Sequence, residues 1–204
     1  GHFQTYSEEA IRKFADGSDP WGYPDTDWLG AVMKTWSPQQ NANISMSGGN
    51  DNVQAFVSLS SRYQDGYFKQ SASNYTQHDL RANVDGKINK YIKVSVDAGI
   101  RMEDAGFLRI GSGTMFNSLL QAAPVFHAFW PNGLPGPPID DQQSSNPVVH
   151  GTKQSGYNDK ENYILNVNGK IDIKVPWIEG LSLTAMGAID RGIYLTKKFD
   201  NQYK

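Results

Sequence analysis

From Gln40 onward, apolar and polar residues take turns along the chain. Ile44 and Met46 alternate with Ser45 and Ser47, and the turn-forming "SGGNDN" follows. Val53, Ala55, Val57, Leu59 and Tyr63 then share one face, opposite Gln54, Ser58, Ser60 and Arg62, with Phe56 as an exception. After a loop around Asp65-Gly66, Leu80, Ala82, Val84, Gly86 and Ile88 oppose Arg81, Asn83, Asp85, Lys87 and Asn89. A tight turn at 89–91 leads to Ile92, Val94, Val96, Ala98, Ile100 and Met102. The period resumes with Tyr163, Leu165, Val167, Ile171 and Ile173, turns at 176–180, and ends with Leu181, Leu183, Ala185, Ile189, Ile193 and Leu195. A two-residue period sustained in this way predicts strands with one apolar and one polar face, about six in all.

The period fails in two places. Residues 1–38 read as a loop and short-helix segment ahead of the strands. Within it, "SEEAIRKFADG" predicts a helix capped by Ser7, with Glu8 and Glu9 in the first turn and Gly17 at its end. "TDWLGAVMK" predicts another short helical turn. The aromatic, Pro/Gly-containing "SDPWGYPDTDW" between them has loop chemistry. Residues 105–160 form a long loop within the strand region 39–204. Here "GTMFNSLLQAA" predicts a helix with Met115, Leu119 and Leu120 on one side, and "PVFHAFWPNGLPGPPIDDQQSSNPVVHG" a Pro/Gly loop. Loops of this length in an ordered protein are usually functional or disordered.

One phrase occurs twice. "NVDGKINKYIKVSVDAGI" at 83–100 and "NVNGKIDIKVPWIEGLSLTAMGAI" at 166–189 each read as strand, short turn, strand. Duplication of a hairpin and convergence of two hairpins both account for the match.

The connections alternate in length, so the long segments fall on one edge of the strands and the short turns on the other. Even up-and-down order with that asymmetry is the pattern of an outer-membrane barrel. Tyr91 and Trp177 at the short-turn edge, and Tyr63, Tyr67, Phe68 and Tyr163 at the other, match the two aromatic girdles of such barrels. A soluble sandwich also alternates. The polar face, however, carries Arg62, Arg81, Asp85, Lys87, Lys93, Asp97, Arg101, Lys170, Asp172 and Asp190, which suits a wet lumen. The apolar face has one clear breach, Arg191. The expected class is all-β: antiparallel up-and-down strands, part of a transmembrane outer-membrane β-barrel, with long loops carrying short helices. A soluble carbohydrate-binding β-sandwich is the alternative.

Composition adds limits. Twenty Gly and ten Pro suit a β-rich chain with many turns. A net charge of -2 with no basic stripe speaks against nucleic acid. With no cysteine there is no disulfide framework. The opening "GHFQTYSEEA" lacks the apolar stretch of a signal peptide, so either a signal was removed or the chain is an internal piece. His2, His78, His127 and His150 are scattered without metal-ligand spacing. Asp25/Asp27 and Asp140-Asp141 are better read as solvated loop acids than as a glycosidase pair. "GSGTMFNS" lacks the Lys-Ser/Thr of a phosphate loop. No enzyme activity, metal or cofactor is expected. The functional hint is aromatic. Trp130, Phe129, His127, Tyr157 and Trp21 lie in the long-loop regions and are the candidate ligand- or partner-binding residues, whereas Trp28 and Phe126 are expected to pack the loops upon themselves.

Tyr23 to Gly99 resembles the early barrel of the SusC/RagA family of TonB-linked outer-membrane transporters of Bacteroidetes. The resemblance is carried by "YP.TDW" at 23–28, "QQ......SGG" at 39–49, "S..Y.DG" at 60–66, and "LR.NVD.KIN" at 80–89. "NPVV" at 146–149 and "EGLSL" at 179–183 fit more loosely. The resemblance implies a plugged barrel of about 22 strands in the cell outer membrane. It also implies a SusD-like surface lipoprotein as lid, TonB as energy relay, and an oligosaccharide or peptide as cargo. The plug, which would contact TonB, has no counterpart in these residues. The chain therefore reads as a fragment of such a barrel, with outer-membrane lipid around it.

Overall fold

The computed structural model describes residues 6–71, 73–136 and 146–201. Six strands, β1 (Gln39–Gly49), β2 (Val53–Asp65), β3 (Asn74–Lys87), β4 (Ile92–Phe107), β5 (Gly156–Lys174) and β6 (Ser182–Asp200), form one antiparallel sheet in sequential order. There is no second sheet to close a sandwich among the described residues. The repeated phrase spans the hairpins β3–β4 and β5–β6.

The register confirms the two faces. Ile44, Leu59, Leu80, Ile100, Leu165 and Arg191 are successive cross-strand partners, and so form one row across all six strands. Val57, Val84, Val94, Val96, Val167 and Ile171 lie on that same face, and Phe56 on the other. The apolar face is open: Leu59, Val96 and Ile189 are 51%, 42% and 61% exposed. A sheet that leaves such residues uncovered needs an apolar surround.

Along β4 the uninterrupted apolar residues run from Ile92 to Met102, and the next outward residue is Asp104, beside Glu161 of β5. Ten residue steps at about 3.3 Å, tilted by about 40°, give a band roughly 25 Å tall. That is the height of the apolar belt of an outer-membrane barrel.

The long segments lie at one edge and the short turns 50–52, 88–91 and 175–181 at the other, with Tyr91 and Trp177 both in short turns. Among the described residues four α-helices occupy the long segments: α1 (Glu8–Asp16), α2 (Trp28–Val32), α3 (Ser112–Gln121) and α4 (Pro147–His150). Helix α1 begins at Ser7, whose side chain accepts from the Ala10 N–H. It ends at Gly17 in the left-handed conformation, where a glycine carries no Cβ penalty. Trp28, Val32, Phe68, Leu108, Met115, Leu119, Ala128 and Val148 bury one another in a rim cluster. This is the compact core of the chain, and it draws on all three long segments.

Four details differ from expectation. Leu120 is 78% exposed, because one residue beyond Leu119 turns a helix by about 100°. Phe68 is buried in the rim cluster instead of standing in a girdle. "NPVVH" is helical: Asn146 caps it and Pro147 takes its first position. The long connection is also shorter than 105–160, since β4 runs to Phe107 and β5 starts at Gly156.

Candidate functional site

Three of the five candidate residues meet above the rim cluster. Trp21 sits in a turn in which Asp19 Oδ1 accepts the Gly22 N–H (2.9 Å) and Asp19 O accepts the Tyr23 N–H (2.8 Å). A Cβ on Gly22 would lie 2.6 Å from the Asp19 carboxylate, so glycine allows that turn. His127 and Trp130 come from the loop after α3. His127 lies between the two indoles, with ring centroids 4.8 Å from Trp21 and 6.0 Å from Trp130, and interplanar angles of 34° and 33°. His127 Nε2 is 3.0 Å from the Trp21 carbonyl oxygen. A carbonyl only accepts, so Nε2 is the donor of this contact. Trp21 and Trp130 remain about half exposed. Together the three rings offer flat faces to whatever arrives.

The loop is held from beneath. Asn146, nearly fully buried, donates from Nδ2 to the Ala128 carbonyl (2.8 Å) while its Oδ1 accepts the Val148 N–H (2.9 Å). One amide thus caps α4 and fixes the chain beside His127. The Gly136 N–H donates to the Ala128 carbonyl (2.8 Å), and a Cβ at Gly136 would lie 2.0 Å from the His127 carbonyl. Trp130 opens a tight turn: its N–H donates to Leu134 O (2.7 Å), and Gly133, at φ 79°, donates to Trp130 O (2.9 Å). The Trp21 segment is stitched to this loop by Thr26 N to Pro124 O (2.9 Å), Thr26 Oγ1 to Phe126 O (2.6 Å) and Trp28 Nε1 to Ala123 O (2.9 Å). Trp28 is buried and Phe126 packs against the cluster, as expected for loop-packing residues.

The other two candidates lie apart from the ring stack. Phe129 makes an isolated bridge with Pro135 and is 38% exposed. Tyr157 belongs to β5, not to a loop, and stacks on Phe199 of β6 at 5.8 Å. Asp140, Asp141 and His2 fall outside the described residues. No group of three or more metal-binding side chains occurs among the described residues.

Sequence reasoning missed the supports Asn146 and Gly136, and a polar network on the inner face. Asp79 accepts from Arg101 Nε (2.6 Å), Gln77 Nε2 (2.5 Å) and Ser60 Oγ (3.2 Å). Glu103 accepts from the Tyr75 hydroxyl and from Asn162 Nδ2, both at 3.0 Å. The two-residue period placed such groups on one face. Their pairing depends on register, which a single strand does not display.

His150 anchors the base of the loop. Burial lowers its pKa, and the nearby Arg109 guanidinium adds to the effect. A folded pKa below the ordinary 6.5 means that the neutral ring is favoured in the folded loop. That contribution is present above pH 6.5 and is lost as pH falls from there through the lower folded value. Hydrogen-exchange protection of α3 and α4 is expected to drop between pH 7.5 and 5.5. The drop should be absent in His150→Asn, and an equal drop in both proteins would exclude His150 as its cause.

No family model matches the chain. Over 110 residues, 54% of this chain, it is 26% identical to TonB-dependent receptor P26 of Formosa agariphila, of which the match covers 11%. The structure of the RagAB peptide importer in its closed-closed state superposes with a TM-score of 0.69 over 97% of this chain, at 24% identity. The open-open state gives 0.67 over 85%, at 25% identity. The chain spans 24% and 19% of those two chains. Sheet order, band height and these likenesses define a stretch of outer-membrane β-barrel wall with its loop-bearing rim. In sequence and fold the chain is similar to a segment of the wall of these TonB-linked proteins.

Proposed function

We propose that the chain forms part of the wall and outer entrance of a nutrient importer. Its Trp21–His127–Trp130 stack would contact an oligosaccharide or peptide cargo, or the SusD-like lipoprotein that covers the entrance. The observation that carries this reading is the stack itself: three rings from two segments, the two indoles about half exposed, on a rim braced by Asn146 and Gly136. Rigid aromatic faces contribute large contact area at low entropic cost. Sugar rings present C–H faces to an indole, and peptides present apolar side chains, so the stack suits either cargo. The relatives support import across the outer membrane: one is named a TonB-dependent receptor and the others a peptide importer. TonB would act through the plug of the complete protein.

Trp130→Ala in the full-length protein is the test. Loss of one central aromatic contact is expected to weaken cargo binding or lipoprotein association by about 2 kcal/mol, roughly thirtyfold. Calorimetry with oligosaccharide and with peptide pools, and pull-down of the lipoprotein, separate the three ligands. If all stay at wild-type values while α3 keeps its exchange protection, Trp130 only packs the loop and the assignment falls.

A further inference from the structure

Among the described residues Arg191 is the one arginine or lysine within the apolar band, and His78 stands on the same face in the Met102 row. Arg191 lies in the row of Ile100 and Leu165, flanked along β6 by Ile189 and Ile193 on the same face. Its row is one below the last apolar row, Met102–Tyr163–Ile193, on the long-loop side. Among the described residues no carboxylate forms an ion pair with it. The outward carboxylate above it, Glu161, is taken by Lys197 (2.9 Å) and by the Tyr163 hydroxyl (3.4 Å). Asp190, its chain neighbour, points to the inner face and accepts from Asn166 (2.6 Å). A guanidinium near the edge of a hydrocarbon layer snorkels its head to the interface while its stem stays in the apolar zone. The head would then stand at the depth where lipid phosphates lie, beside Tyr163 of the aromatic girdle. Guanidinium and phosphate match in charge and in bidentate geometry.

We propose that Arg191 binds the phosphate of an anionic lipid in the leaflet on the long-loop side, making this patch of wall a specific lipid site. The inference rests on the barrel-wall reading but not on the ring stack. The full-length protein is placed in nanodiscs containing either bisphosphorylated lipid A or the same lipid with its phosphates removed. Thermal melts and native mass spectrometry of lipid that stays bound are then compared for wild type, Arg191→Leu and Arg191→Lys. Wild type is expected to melt several degrees higher in phosphorylated lipid and to retain one more such lipid than Arg191→Leu, with Arg191→Lys between them. In Arg191→Leu the phosphate-dependent shift should shrink or vanish. An undiminished shift and equal lipid retention in Arg191→Leu would overturn the proposal. Equal destabilisation of Arg191→Leu in both lipids would also overturn it, by showing that Arg191 pairs with an acid elsewhere in the complete barrel. Failure of the protein to enter either nanodisc would instead refute the wall reading.

Discussion

Replacing Trp28 with alanine is expected to loosen the rim while leaving the sheet paired. Trp28 is 4% exposed, packs among Val32, Phe68, Met115 and Leu119, and spends its only polar atom on the Ala123 carbonyl. Removing a buried indole from such a site costs about 3–5 kcal/mol, from lost burial and from the cavity left behind. The rim is small, and its long segments meet chiefly in this one cluster. A loss of that size exceeds what a local unit of a few dozen residues commonly holds in reserve. The strands are linked by a full antiparallel ladder from β1 to β6 and contribute no large side chain to the site of damage. Amides of 112–121 should therefore lose exchange protection by two or more orders of magnitude, while those of β3 and β4 keep theirs. Under the proposed function, cargo binding should fall with the rim, since Trp21 and His127 are joined across the same contacts. Unchanged protection in α3 would show that the cluster is not what orders the rim.

Arginine at Val96 should strike the wall instead. Val96 pairs with Val84 on one side and Gly169 on the other, near the middle of the apolar band, and is 42% exposed. Facing hydrocarbon there, a guanidinium costs about 2–4 kcal/mol. Asn168, opposite Asp97, lies on the inner face, so Asn168→Arg is the control and should cost less than about 1 kcal/mol because it meets water. Refolding into lipid vesicles under a denaturant titration reads both. A tolerated Val96→Arg together with a damaging Asn168→Arg would mean that the lipid and lumen sides have been exchanged.

The wall was legible from sequence because its physics is periodic. Each strand must keep apolar residues outward and polar ones inward, and a two-residue period cannot be satisfied by accident over six strands. The ends of the strands were not legible, for the same reason. Beyond Met102 and before Tyr163 the chain leaves the apolar band, so Asp159 and Glu161 face outward as Asn158 and Lys160 face inward. With both faces polar, "GYNDKEN" carries no alternation, yet it pairs as strand. The short α4 escaped notice because four residues show no helical period, although its Asn-Pro opening is a cap followed by a first-turn proline. At the rim the types of residue were readable but not their meeting. Trp21 and His127 are 106 positions apart, and they touch because Thr26 and Trp28 bind the 123–126 segment. Tyr157, named by the same reasoning, was lost to the strand because loop and strand could not be told apart there.

The rim keeps its holding residues and its displaying residues separate. Trp28, Met115, Leu119 and Asn146 are buried, whereas Trp21, Phe129 and Trp130 stand outside the cluster and add little to it. A change in the displayed set meets almost no stability threshold. Under the proposed function, selection for a new cargo can therefore explore those positions one at a time, each intermediate remaining folded. One barrel wall can in this way give rise to a lineage of importers that differ in what they collect and share how they are built.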